Sequence, residues 1–133
     1  MTPARERRLL QIVVSLCALL PVYAGLSGVL QGDALLLDGS QLGRDGDSHW
    51  RYLSGLLLAV GLGFWTCVPS IERKTARLRL LTLIVVCGGL ARLYALLSGG
   101  VPSPPMLAGV AMELAITPLV CAWQGRVARR VDG

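Results

Sequence analysis

Two residues of opposite charge stand inside apolar stretches of this sequence. Arg92 lies within "GGLARLYALLSGG" (residues 88–100), and Glu113 lies within "MELAITPLV" (residues 112–120). A lone charged side chain at the centre of a bilayer costs ~2.5–3.5 kcal/mol on insertion scales, so such residues turn inward and find partners. We therefore predict a charge-assisted hydrogen bond between Arg92 and Glu113.

The depths of the two residues agree with this pairing. Arg92 stands six residues before Ser98, roughly 9 Å inside one end of its apolar segment, at the helical rise per residue. Glu113 stands seven residues after Met106, about 10 Å inside the next segment. The linker "GGVPSPP" is a short Gly/Pro turn that brings these two ends together.

A third charged residue, Arg51, opens the second apolar segment from the same side. If it faces inward, two arginines and one glutamate surround a cavity with a net positive charge. Such a pocket would suit an acidic headgroup, a carboxylate or a phosphate. The predicted ligand-binding residues are Arg51, Arg92, Glu113, His49, Tyr52, Ser54 and Tyr94.

Three roles stay open for the charged pair. It is a structural clasp between two helices, part of a ligand pocket, or a proton-carrying site for transport or catalysis. The last role is the least favoured, because an arginine beside Glu113 opposes a raised carboxyl pKa. We assign no catalytic residue and do not favour an enzyme.

The elements that position these residues are four apolar segments. Over half of the 133 residues are hydrophobic, and each segment is near the ~20 residues that cross a hydrocarbon core. The prediction is one all-α domain over residues 1–133, an integral membrane four-helix bundle. Its spans cover approximately residues 9–30, 52–71, 79–98 and 106–124.

Basic residues predict the orientation of the bundle. Arginines and one lysine flank the start of the first span, the 72–78 connection and the end of the fourth span, whereas the opposite side has only Arg44 and Arg51. The positive-inside rule then places both termini in the cytoplasm and the longer loop, residues 31–51, outside. Glu72 in the middle connection is expected to pair locally at helical spacing.

Several functions are disfavoured by composition. The four cysteines all fall within predicted spans and form no C-x-x-C motif, and His49 is the only histidine, so we predict no metal site and no cofactor. No basic face sits on a soluble module, which argues against nucleic-acid binding. Proline at positions 21 and 118 predicts kinks within the spans.

Longer stretches carry a family resemblance. The segments "DSHWRYLSGLLLAVGLGFW", "SIERKTARLRLLTLIVVCGGLARLYALLSGGVPS" and "MELAITPLVCAWQ" resemble a family of small bacterial membrane proteins, domain-of-unknown-function family 4345, distantly similar to the DoxX-like group. The resemblance spans Leu9 to Val127. It implies a bacterial inner-membrane location and a four-span bundle, and it brings no established activity.

Together these patterns predict a binding or accessory protein that holds an amphipathic or anionic ligand, such as a lipid or a quinone-like molecule, in an outer-half pocket. The alternative is a structural or assembly subunit, with the small residues Gly55, Ala59 and Gly63 facing a partner protein or a second copy. A transporter or enzyme that depends on Glu113 ranks last. Membrane lipids are the expected surroundings.

Overall fold

The computed structural model describes residues 1–36 and 38–132 and forms an all-α bundle. Three long helices, α1 (Pro3–Gln31), α2 (Gly43–Cys67) and α3 (Thr75–Gly99), precede a fourth helical rod. That rod consists of α4 (Pro104–Ala111), a π-helical turn (Met112–Ile116, called the π segment below) and α5 (Thr117–Asp132). Short 3₁₀ turns follow α1 (Gly32–Leu35) and precede α3 (Ile71–Arg73).

The most extensive packing joins α1 and α2 as a hairpin. Small residues allow the two backbones to meet: a Cβ added at Gly25 would lie 2.5 Å from the backbone nitrogen of Leu58. A Cβ at Gly61 would lie 2.7 Å from the Val22 side chain. Such close approach is typical of membrane helices, whose association gains nothing from expelling lipid.

The second hairpin joins α3 to the fourth rod, and the two hairpins meet at one end of the bundle. We call this the basic end: the start of α1, the connection 68–74 and the end of α5. Its buried apolar core consists of Leu10, Val14, Ala18, Cys67, Ile71, Leu78, Val127 and Ala128. In the other half of the molecule, α1 packs on α2, but it makes little contact with α4.

Among the described residues, three helical segments are long and apolar enough to cross a membrane: Pro3–Leu35, Thr75–Gly99 and Pro104–Val131. The helix α2 falls outside this group, because charged and polar residues such as Arg51 and Ser54 lower its mean hydropathy. It ends at Cys67, four residues before the predicted limit Ile71, where a turn with a left-handed residue, Ser70, begins. The all-α bundle with membrane-span-like helices is confirmed.

Candidate functional site

The charged pair predicted from the sequence is present. Arg92 Nε lies 3.4 Å from Glu113 Oε1, which confirms the ion pair between α3 and the π segment. The distance is longer than the ~2.7–2.9 Å of a charge-assisted hydrogen bond. Arg92 Nη1 is instead 3.4 Å from the sulfur of Met106, so the guanidinium engages one carboxylate oxygen rather than two.

Glycines make the approach of these two side chains feasible. A Cβ at Gly89 would lie 2.8 Å from the Cβ of Glu113, so α3 and the π segment touch at this point. A Cβ at Gly109 would lie 3.1 Å from Arg92 Nη1. Gly88, one position earlier, is not at this contact, because no atom of the described residues lies within 4 Å of a Cβ at Gly88.

Glu113 sits in the π segment, and Pro118 explains why the helix changes there. Proline has no N–H to donate to the carbonyl four residues earlier, and its ring crowds that carbonyl. The chain responds with the wider turn: the Thr117 N–H donates to Met112 O, five residues back. The Thr117 hydroxyl donates to the same oxygen at 2.8 Å. Such π turns often occur at functional sites.

A cavity of about 210 Å³ lies beside Glu113, between the two hairpins. Its walls are apolar apart from Glu113, Thr117 and the Cys17 thiol. The remaining lining residues are Val14, Ala18, Leu20, Pro21, Phe64, Leu78, Val85, Pro105, Ala108, Gly109, Met112, Ile116 and Val120. The second carboxylate oxygen, Glu113 Oε2, is buried and has no hydrogen-bond partner in the described part of the chain.

Arg51 is not part of this site. Its Nε donates to Asp47 Oδ2 at 2.8 Å, and its Nη1 donates to the carbonyls of Val29 and Leu30 at 2.6 and 3.3 Å. The last carbonyls of a helix lack partners within the helix, so Arg51 caps the end of α1. The hydrogen bond from Arg51 also lowers the pKa of the Asp47 carboxyl. The condition for a cavity with two arginines, an Arg51 that faces inward beside Arg92, is therefore not met, and Arg51 is not among the lining residues of the cavity.

The other predicted lining residues also lie elsewhere. His49 and Tyr52 are exposed and stack on each other with ring centroids 6.2 Å apart. Ser54 is buried against Gly28 of α1, where it fills the hairpin contact. Tyr94 is 75% exposed on α3. Of the seven predicted residues, the structure pairs Arg92 with Glu113 and, apart from them, His49 with Tyr52. Glu113 is the one member of the seven among the lining residues of the cavity.

A second polar cluster, at the basic end, was not predicted. Glu6 is buried and accepts hydrogen bonds from Trp123 Nε1 at 3.1 Å and Arg130 Nη1 at 2.7 Å. Glu72 does not pair locally: it pairs with Arg7, at 3.4 Å. The spacing of Glu6 and Leu10 in the sequence could have indicated that Glu6 is buried, because residues four apart lie on one side of a helix.

Gln124 completes this cluster. Its side chain is fully buried, and its Nε2 donates to Ile71 O at 2.8 Å and to Thr75 Oγ1 at 2.9 Å. Gln124 therefore fastens the end of the fourth rod to the 3₁₀ turn before α3.

The small-residue stripe of α2 does not present one outward face. A Cβ at Gly63 would lie 2.9 Å from the side chain of Leu81 on α3, so this glycine is used within the chain. Ala59 is exposed, and among the described residues a Cβ at Gly55 would meet Val29, at 3.9 Å. The stripe is thus divided between an internal contact and the exposed surface.

Comparisons with known proteins give a family. Neither the curated proteins nor the solved structures contain a significant match to the chain. The family model described as Domain of unknown function (DUF4345) matches residues 9–124, which include both partners of the ion pair and every lining residue of the cavity. The chain therefore belongs to the DUF4345 family, as its sequence motifs indicated.

Proposed function

We propose that this protein binds an amphipathic small molecule in the cavity between its two hairpins. One observation carries the proposal: Glu113 lines an apolar cavity, and one of its carboxylate oxygens, Oε2, is buried without a hydrogen-bond partner among the described residues. Buried polar atoms in proteins are almost always paired, and each exception calls for an explanation. A ligand with an apolar body and a polar tip supplies the missing partner.

The chemistry of the lining favours a hydrogen-bond donor at that tip. A carboxylate only accepts hydrogen bonds, and Arg92, which would attract an anion, does not line the cavity. A hydroxyl, phenol or amine therefore fits better than the acidic headgroup expected from the sequence. The apolar walls suit an alkyl chain, a terpenoid chain or a ring system.

The proposed setting is the inner membrane of a bacterium, with both termini in the cytoplasm. Three apolar helical segments support a membrane location. The basic residues near the termini and the 68–74 connection support this orientation.

Native mass spectrometry of the gently solubilised protein tests the proposal. Decan-1-ol serves as a probe, and Val85→Trp, which fills the cavity wall, is compared with Ile84→Trp, whose side chain is exposed and outside the lining. We expect an alcohol adduct in the wild type and in Ile84→Trp, and its loss in Val85→Trp. Equal adducts in all three proteins would refute binding in the cavity.

The alternatives give different results in the same experiment. An assembly subunit would carry a co-purified protein and no cavity-dependent adduct, and capture by a crosslinker at the exposed Ala59 would then identify the partner. A proton-coupled transporter would lose a pH-dependent flux in Glu113→Gln. Either result, without the adduct, would replace the binding proposal.

A further inference from the structure

The cavity has a side that the helices do not close. Its lining includes Leu20 of α1 and Ala108 of α4, both of which are also exposed at the molecular surface. A residue that both lines a cavity and is exposed lies at the rim between them. These two residues come from opposite hairpins, so the rim runs between α1 and α4.

The packing of the helices explains this gap. α1 packs on α2 along its length and on α5 at the basic end, but it makes little contact with α4 or the π segment. Ile116 of the π segment also lines the cavity and is 40% exposed. The rim residues are apolar, whereas a water-filled entrance would be expected to carry polar groups.

We propose, building on the proposed binding function, that the ligand enters sideways from the hydrocarbon phase through the gap between α1 and α4. The ligand class is then a membrane-dissolved molecule rather than one delivered from water. Its polar group passes the apolar rim and reaches Glu113, and its apolar body lies between the hairpins. A route of this kind avoids moving the apolar body through the aqueous phase, which would be unfavourable.

Rates of photolabelling test the route. The protein is reconstituted in phosphatidylcholine vesicles that contain a long-chain alcohol with a diazirine in its chain, and light is applied at increasing times after mixing. Two variants narrow the gap, Leu20→Trp and Ala108→Trp. Their matched controls, Leu19→Trp and Ala111→Trp, place the same bulk at exposed positions outside the lining.

Peptide mapping then separates two questions. We expect adducts on residues 14–21 and 108–117 in the wild type, and the same labelling rate in the controls Leu19→Trp and Ala111→Trp. In the rim variants Leu20→Trp and Ala108→Trp, labelling should be about tenfold slower, which corresponds to ~1.4 kcal/mol of barrier. After long incubation the rim variants should reach the wild-type level. Equal rates in all variants would overturn the lateral route, whereas absence of any cavity adduct in the wild type would overturn the binding function itself.

Discussion

The basic end and the cavity-containing half of this bundle place their buried polar groups in different surroundings. At the basic end, Glu6, Glu72 and Gln124 reach across to partners on other elements and fasten the two hairpins together. In the other half, Glu113 is fastened to Arg92 through one oxygen, and its second oxygen has no partner in the described chain. Glu72 Oε2 and Gln124 Oε1 at the basic end are also buried without a partner among the described residues. What distinguishes Glu113 is that it lines a cavity with room for a ligand.

Apolar packing shows the same division. The buried side chains cluster at the basic end, where both hairpins contribute. Beyond it, burial is mostly confined to the α1–α2 contact, around Gly25, Gly28 and Ser54. Because close packing between the hairpins is limited to one end, a cavity persists between them.

The largest effect is expected at the basic end. Leu10→Ala removes a fully buried side chain from the core that joins the hairpins, and such truncations typically cost ~2–5 kcal/mol. Thermal unfolding in detergent or nanodiscs measures the loss. Leu9→Ala, at the neighbouring and 42% exposed position, is the control and should change stability little. Equal losses in both variants would contradict the assignment of the core to this end.

A smaller effect is expected where α3 meets the π segment. Gly89→Ala places a methyl group against Glu113 and Leu114, so the two elements must move apart, and overpacking of this kind costs ~1–3 kcal/mol. The matched control is Gly88→Ala, whose added methyl group has no neighbour within 4 Å in the described part of the chain. Thermal unfolding of the two variants measures the difference. If Gly88→Ala lowered the thermal stability more than Gly89→Ala, Gly89 would not be the residue of α3 that faces Glu113.

The smallest effect concerns pH at the start of α2, where Asp47 lies. The folded pKa of Asp47 lies below its ordinary value because Arg51 donates a hydrogen bond to it. Its contribution to stability is therefore present above the ordinary aspartate pKa and is lost as the pH falls through the lowered folded value. Unfolding measured from neutral to acidic pH should show this loss in the wild type and a reduced loss in Asp47→Asn. If stability fell between neutral and acidic pH by the same amount in Asp47→Asn as in the wild type, this role of Asp47 would be contradicted.

The sequence was sufficient for the ion pair but insufficient for the rest of the site. Arg92 and Glu113 stand at matching depths on helices joined by a short turn, so depth alone predicted their contact. The capping role of Arg51 depends on how far the end of α1 lies from α2, which no local pattern encodes. Likewise, Gly88 and Gly89 are adjacent on α3, and which of them meets Glu113 depends on the rotation of the helix, which only the packed structure shows.

The buried cluster at the basic end was missed for a different reason. Glu6 and Glu72 stand among arginines near predicted span ends, a setting that usually means solvent-exposed charge. The phase of Glu6 with Leu10 and Val14 indicated burial, because all three share one helical face. Gln124 gave the same signal from its position between Val120 and Val127.

Titration of paired ligands tests the central claim most directly: that Glu113 in the cavity accepts a hydrogen bond from an amphipathic ligand. Decan-1-ol and decanoate have the same chain length and differ at the tip that would meet the carboxylate. Hydrogen bonds to charged groups contribute ~1.5–3 kcal/mol, so the wild type should prefer the alcohol by about tenfold or more, and Glu113→Gln should lose most of that preference. Equal binding of both ligands, or tighter binding of decanoate, would contradict the account.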